Sequence, residues 1–227
     1  MSISKTDVIN AGLLLVGAEK LFLPSDDSKG ARLSTAMYEI ILRETYDLPI
    51  NWQFAIARSE LAQLSTAPDF GYDYQYQLPS GCQRVVAVVD EDGDETEYKW
   101  RREVAVIASG SREVEYDVFL SNNEEAFIKY IRLREDPNRW PGYFTKLVYL
   151  GIAIILCEPL KQDKRKKNQL LMIWEEAYRL ARAGNGMENA DVSDDNVRLD
   201  LGNTDVVDAA SVEIEAKRYI ARIAASA

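Results

Sequence analysis

The chain has 227 residues, 47% hydrophobic and 28% charged, enough for one large globular domain or for a core that carries an insertion. Its formal net charge of -10 argues against a surface that attracts phosphate as a whole, although a local basic stretch could still contact nucleic acid. The absence of histidine excludes a Ser–His or Cys–His catalytic pair and removes the commonest zinc ligand.

Two amphipathic helices are predicted at the start of the chain. Ser4 or Thr6 can cap the first helix, and Gly17 can end it. Ser28 can cap the second, and Pro49 prevents it from running on. The residues expected on the inward faces of these helices are Ile9, Leu13, Val16, Leu33, Met37, Ile40 and Ile41.

A third, shorter helix is predicted over 51–64, and strands follow it. From Gln83 to Leu133 the apolar spacing changes to two, as where Val114, Tyr116 and Val118 alternate with acidic residues. Turn residues recur between these segments, for example at Asp92 and Gly93. The pattern predicts an antiparallel meander of about four or five strands in the middle of the chain.

Two further helices are predicted after the strands. Pro141 suits the first turn of a helix that is apolar nearly all round from Phe144 to Ile155, and Pro159 should break it. Its longest apolar run is about half of the ~20 residues that cross a bilayer, and the N-terminus lacks the order of a secretory signal. We therefore expect a soluble intracellular protein. The next helix should cover 161–183, end at Gly184, and turn inward Leu170, Ile173, Trp174, Ala177, Leu180 and Ala181.

The end of the chain changes character. Residues 185–208 hold seven acidic side chains against Arg198 alone and show no apolar period, a composition typical of a segment that does not order itself. An amphipathic stripe follows, formed by Val212, Ala216, Tyr219 and Ile223. A helix tethered by a flexible arm is expected to dock on its own subunit, on a neighbour, or on another protein, so these four residues are candidate partner-binding residues.

The predicted fold class is α+β. A helical bundle core of residues 1–82 and 138–184 would carry an inserted β-meander at 83–137, and an acidic arm at 185–227 would end in a short helix.

The dense basic run Lys164, Arg165, Lys166 and Lys167 is the second candidate partner-binding group. It could contact an acidic patch on a partner or DNA phosphates, and it could equally be a solvated helix start. No catalytic, cofactor or metal residues are predicted. Cys82 and Cys157 are expected to be free thiols in a reducing compartment. The run from Asp90 to Glu95 lacks the glutamate that completes a calcium loop and is interpreted as a solvated hairpin tip.

Two other functions remain open from the residues alone. A carboxylate-based cell-wall hydrolase would use a pair of the 37 acidic residues, although no local pattern singles one pair out. A helical DNA-packaging or regulatory protein would use the basic run.

A block of aromatic and small residues in the first third of the chain carries a family resemblance. Its residues are Trp52, Phe54, Ala55, Arg58, Leu61 and Ala62, followed by Tyr74, Tyr76, Leu78, Pro79, Ser80, Cys82, Arg84 and Val85. Supporting positions are Asn10, Ala11, Gly17, Tyr130, Ile131, Asp136, Pro137 and the helix from Phe144 to Cys157. Together they resemble the head-to-tail adaptors of short-tailed bacteriophages, also called tail tubular protein A or tail accessory factor. The chain departs from the family at Gly81, where the family has Asp, and its tail after Gly184 does not match.

The resemblance implies a structural virion protein at the head–tail junction, present in the host cytoplasm during assembly. Such adaptors form a homo-oligomeric ring, typically of about twelve copies, beneath the portal protein and above the tail nozzle protein. DNA would pass through the ring without sequence-specific binding, and no membrane or cofactor would be involved.

Overall fold

The computed structural model describes residues 2–21, 28–109 and 112–188, together with Ile214, Arg218, Tyr219 and Ala221. They form helices and two small antiparallel sheets, so the predicted α+β class is confirmed. The chain divides into a helical unit, residues 1–54 and 134–227, and a sheet unit, residues 55–133. The sheet unit begins at Ala55 and ends at Leu133, whereas the sequence predicted that the inserted β-meander would cover residues 83–137.

The first two helices begin where the sequence predicted. Helix α1 covers Lys5–Val16, and Ser4 caps it: the Ser4 hydroxyl accepts a hydrogen bond from the Asp7 amide at 3.2 Å, while the Asp7 carboxylate accepts one from the Ser4 amide at 2.8 Å. Hydrogen bonds from the Ser4 hydroxyl and from the Ser4 amide to the Asp7 carboxylate lower the pKa of Asp7. Gly17 ends α1 with a φ of 74°. Helix α2 covers Lys29–Tyr46 and is capped by Ser28. Of the predicted inward residues, Leu33 and Ile40 are only half-buried, whereas Ile9, Leu13, Val16, Met37 and Ile41 are buried.

Helix α3, Gly142–Lys161, is the centre of the helical unit and packs against α1 and α2. Pro141 precedes its first turn, as predicted. Pro159 does not break it: the proline lies in the last turn, where it removes one backbone hydrogen bond, and the helix ends only where Gln162 takes a φ of 52°. By length and composition α3 alone among the described helices could span a membrane, and 56% of its most apolar window is buried inside the protein.

An aromatic cluster surrounds Phe144 at the start of α3. The ring centroids of Tyr46, Phe54, Trp52 and Trp140 lie 4.8, 4.9, 5.0 and 5.3 Å from that of Phe144. Both indoles also donate hydrogen bonds to backbone carbonyls, at 3.2 Å for Trp52 and 2.7 Å for Trp140. The cluster joins the end of α2 to α3 through the segment that gave the family resemblance.

The predicted third helix is wrong. Residues 51–64 contain a 3-10 turn, Gln53–Ala55, followed by strand β1, Ile56–Glu60. Strand β1 pairs antiparallel with Phe127–Arg132, with Ile56 opposite Ile131. Backbone pairing with a distant strand therefore overrides a local spacing that also fits a helix.

The sheet unit contains two three-stranded sheets rather than one meander. The remaining strands are β2 (Tyr74–Gln77), β3 (Cys82–Val89), β4 (Trp100–Ser109), β5 (Arg112–Ser121) and β6 (Phe127–Arg132). One sheet has the order β1-β6-β3 and the other β2-β5-β4, so only β4 and β5 are neighbours both in sequence and in a sheet. The core of the unit includes the buried side chains of Tyr76, Leu78, Val88, Phe119 and Ile128.

Helix α4 covers Lys164–Met187 and packs against α3. It continues past Gly184, so the predicted stop there and the start of the arm at 185 are wrong. A Cβ at Gly184 would lie 3.1 Å from Tyr143, which indicates that this glycine permits close packing. Asn185 is buried, donates to the carbonyl of Asn51 at 2.9 Å and accepts from the amide of Gln53 at 2.8 Å. These bonds hold the last turn of α4 in the helical unit.

Candidate interaction surfaces

The basic run forms the first turn of α4. Asp163 caps the helix, and its carboxylate accepts a hydrogen bond from the Lys166 amide at 2.9 Å. Lys164 and Arg165 are exposed, whereas Lys166 is half-buried. The cap offsets part of the repulsion that cations meet at a helix N-terminus, so the position of the run by itself does not require a partner.

Lys167 differs from the rest of the run because it is paired within the unit. Its ammonium lies 2.7 Å from a carboxylate oxygen of Glu158, near the end of α3, and this hydrogen bond lowers the pKa of Glu158. Cys157, next to Glu158, is a buried free thiol, and burial raises its pKa. The exposed charge of the run is therefore carried mainly by Lys164 and Arg165.

A cavity of about 540 Å³ lies beside this run, between the end of α1 and the start of α4. It is lined by Leu14, Leu15, Val16, Gly17, Lys161, Asp163 and Lys166. Three of the lining residues are charged, and one of them, Asp163, already caps α4. The other four are three apolar residues and a glycine, so few polar groups converge there on a ligand.

Tyr219 is the one member of the predicted C-terminal stripe that the structure describes. It is helical and fully buried in the helical unit, and its ring stacks on Trp174 of α4 at a centroid distance of 4.5 Å. Its hydroxyl lies 3.3 Å from Oγ1 of Thr45 in α2. This candidate partner-binding residue thus docks on its own chain. Val212, Ala216 and Ile223 lie outside the described residues.

The outer side of α4 carries two apolar side chains that the sequence placed inward, Ile173 and Leu180, together with Met187. Ile173 and Leu180 are 46% and 55% exposed, and Met187 is 70% exposed. Tyr178 is buried instead, in contact with Trp174. The packed face of α4 is therefore rotated relative to the predicted one. The predicted apolar stripe is wide, and Ile173 and Leu180 lie at its edge, where side chains need not contact the core. The three exposed residues recur every seventh position, on one side of the helix; we call them the helix row.

A second exposed apolar group lies on strand β4. Val104 and Val106 are 61% and 58% exposed, and they stand opposite Asp117 and Glu115 of β5. We call these two valines the ribbon row. Strand β2 covers β5 only over Val118–Ser121, so the outer part of the β4–β5 hairpin is a two-stranded ribbon. Sequence reasoning missed this group because the strand register decides which side chains share a face.

Tyr72, Tyr74 and Tyr76 all contact other residues of the sheet unit. The Tyr76 side chain is buried, and its hydroxyl donates to the carbonyl of Asn123. Tyr74 donates to Glu124 at 3.3 Å, and the ring of Tyr72 lies 5.5 Å from the ammonium of Lys99. All three rings are therefore engaged by groups of the sheet unit.

The acidic run after β3 forms a tight turn. The Asp90 carboxylate accepts a hydrogen bond from the amide of Asp94 at 2.8 Å, and the Asp90 carbonyl accepts one from Gly93 at 3.1 Å. Gly93 has a φ of 91°, which favours glycine. The described part of the chain holds no group of three or more Cys, Asp or Glu side chains placed to bind a metal ion.

Comparison of the chain with protein-family models and with curated proteins finds no match.

Proposed function

We propose that the protein is a structural component of a short-tailed bacteriophage, a head-to-tail adaptor whose copies form a ring beneath the portal. The ring would extend the DNA channel toward the tail nozzle protein. The sequence support is the block around Trp52 and Tyr76, whose residues resemble that family. In the structure, much of this block packs at the aromatic cluster of the helical unit and in the core of the sheet unit.

The observation that carries the proposal is the pair of exposed apolar rows. A ring is built from head-to-tail contacts, in which each copy uses one surface toward one neighbour and a different surface toward the other. The helix row and the ribbon row lie on different units and on regular elements, so each can present fixed side chains. Exposed apolar side chains on one side of a helix or strand are candidates for such contacts.

Charge fits the same role. The chain carries a formal net charge of -10, and a surface of that sign does not hold DNA as it passes. Lys164 and Arg165 provide an exposed basic site that suits an acidic patch on a protein partner.

The test is electron microscopy of the purified protein mixed with a candidate portal ring. We expect an added ring layer below the portal. A double variant of the helix row, Ile173→Gln with Leu180→Gln, should weaken or abolish the layer while the protein stays folded. The matched control is Gln169→Ala with Glu176→Ala on exposed positions of the same helix, which should leave the layer intact. A portal that shows no added density with the unaltered protein contradicts the proposal.

A truncation tests the contribution of the arm. Because α4 extends to Met187 and Asn185 is bonded inside the helical unit, the cut belongs after Glu188. Removal of residues 189–227 is expected to abolish stable attachment to capsids. Unchanged co-sedimentation of the truncated protein with capsids would show that the arm is not needed for attachment.

A further inference from the structure

Tyr219 occupies a socket built by three helices of the helical unit. Its ring stacks on Trp174 of α4 at an interplanar angle of 19°, and its hydroxyl meets Thr45 of α2. Gly151 of α3 lies on the third side, where an added Cβ would come within 2.6 Å of the Tyr219 hydroxyl. We call these surroundings the Tyr219 socket. It accommodates a tyrosine ring only because position 151 has no side chain.

A large aromatic side chain buried in such a socket is a strong anchor. Trp174 and Tyr219 are both fully buried, and stacking of two rings adds to the gain from their burial. Ile214, Arg218 and Ala221 around the anchor are exposed. Among the described residues of the C-terminal segment, Tyr219 is therefore the one whose side chain is buried against the helical unit.

The chain between the socket and its occupant is long. Helix α4 ends at Met187, and residues 189–213 separate Glu188 from Ile214. A stretch of this length reaches about 85 Å when fully extended. A compact unit of the size of the helical unit measures about 40 Å across. The length of chain thus allows Tyr219 to reach the socket of an adjacent copy as well as its own.

We propose that Tyr219 of one copy binds the Tyr219 socket of a second copy, so that adjacent copies exchange their C-terminal segments. The aromatic ring of Tyr219 makes the same contacts in its own socket and in that of a neighbouring copy. Exchange of identical elements between copies is a low-cost route to assembly. In a ring each copy would donate its tyrosine to one neighbour and receive one from the other. This inference rests on the proposed function, which supplies the adjacent copies at high local concentration.

A mixing experiment separates the donor from the acceptor. The Tyr219→Ala variant keeps an open socket but has no anchor, and the Gly151→Ala variant keeps the anchor but has an obstructed socket. The tagged Tyr219→Ala variant should capture untagged Gly151→Ala at least about 10-fold better than a tagged variant that carries both substitutions, since loss of a buried aromatic anchor weakens binding to this degree. Capture no better than that of the double variant would overturn the proposal.

A matched glycine variant controls for general damage to helix packing. A Cβ at Gly12 of α1 would lie 2.7 Å from Ile152, so Gly12→Ala also crowds α3 but leaves the socket open. The untagged Gly12→Ala variant is added in excess to tagged Tyr219→Ala. Its Tyr219 can bind its own open socket, so tagged Tyr219→Ala should capture less of it than of Gly151→Ala. Equal capture of the two glycine variants would count against the socket as the binding site.

A cross-link in the otherwise unaltered protein avoids the risk that Gly151→Ala fails to fold. A photoreactive phenylalanine analogue at position 219 is expected to attach to the peptide that contains Trp174. In an equal mixture of ¹⁵N-labelled and unlabelled chains, incubated with and without the portal, exchange predicts cross-linked peptides that combine both labels. Products that join only chains of one label would overturn the inference.

The two proposals fail separately. An added ring layer without mixed-label products removes the exchange and leaves the adaptor function. Mixed-label products without any layer on a portal support exchange between copies and remove the adaptor function.

Discussion

The helical unit and the sheet unit complete their cores in different ways. In the helical unit, Phe144 is enclosed by four other aromatic rings, and Tyr219 fills the remaining socket between α2, α3 and α4. In the sheet unit, the core includes Phe119 and Ile128, and the β4–β5 ribbon continues beyond strand β2 with Val104 and Val106 exposed. Buried side chains such as Phe144 and Phe119 stabilise the fold, whereas exposed ones such as Val104 and Val106 are available for contacts with other molecules. Substitutions in the two classes should differ in stability by several kcal/mol.

The largest effect is expected for Phe144→Ala. It removes a fully buried ring from the aromatic cluster and should lower the free energy of unfolding by about 3–5 kcal/mol. Chemical denaturation followed by tryptophan fluorescence measures the change, because Trp52 and Trp140 contact this ring. The control is Phe70→Ala, whose ring is 87% exposed, with a change of at most about 0.5 kcal/mol. Similar losses for the two variants would show that the cluster does not hold the helical unit together.

A smaller effect is expected for Asn185→Ala at the end of α4. The substitution removes the hydrogen bonds of Asn185 with the amide of Gln53 and with the carbonyl of Asn51 and should cost about 1–3 kcal/mol. Asn168→Ala, at an exposed position of the same helix, should change stability by at most about 0.5 kcal/mol. Thermal melting of the two variants side by side gives the comparison. If both melt like the unaltered protein, residues after Gly184 do not belong to the helical core.

The smallest effect on stability is expected for the ribbon row. Val104→Thr with Val106→Thr keeps β-branched side chains on the strand and should change the free energy of unfolding by at most about 0.5 kcal/mol. The buried control Val88→Thr should cost about 1–3 kcal/mol, because its hydroxyl enters the core. The ribbon variant should also form the portal-bound layer less readily. A large loss of stability in the ribbon variant would place these valines in the core of the unit.

The sequence predicted the starts of α1 and α2 well, since a cap is a local feature, whereas α4 begins at Lys164 and not at the predicted residue 161, because α3 continues through Lys161. Ser4, Ser28 and Gly17 satisfy or end the backbone hydrogen bonds of their own helix, and the structure confirms all three. The predicted third helix failed at Ile56 because its pairing partner, Ile131, lies far along the chain. The stop at Gly184 failed for a related reason: the ring of Tyr143, from α3, occupies the space beside this glycine.

The candidate surfaces were less predictable than the elements that carry them. An apolar residue on a helix or strand can face the core or the solvent, and only the register and the rotation of the packed element decide between them. Tyr178 and Leu180 lie two positions apart on α4, yet the first is buried and the second is 55% exposed. The sequence correctly placed the basic run at the start of a helix. The pairing of Lys167 with Glu158 was not predictable, because it depends on the turn between α3 and α4.

The place where the sheet unit enters and leaves the chain has an evolutionary consequence. Its first and last strands are neighbours in one sheet, with Ile56 opposite Ile131, so its two ends emerge side by side. A segment with adjacent ends can be lengthened, shortened or replaced without separating the flanking parts of the helical unit. The sheet unit therefore has the geometry of an insertion, whose length can change between Phe54 and Arg134 without a break in the helical scaffold.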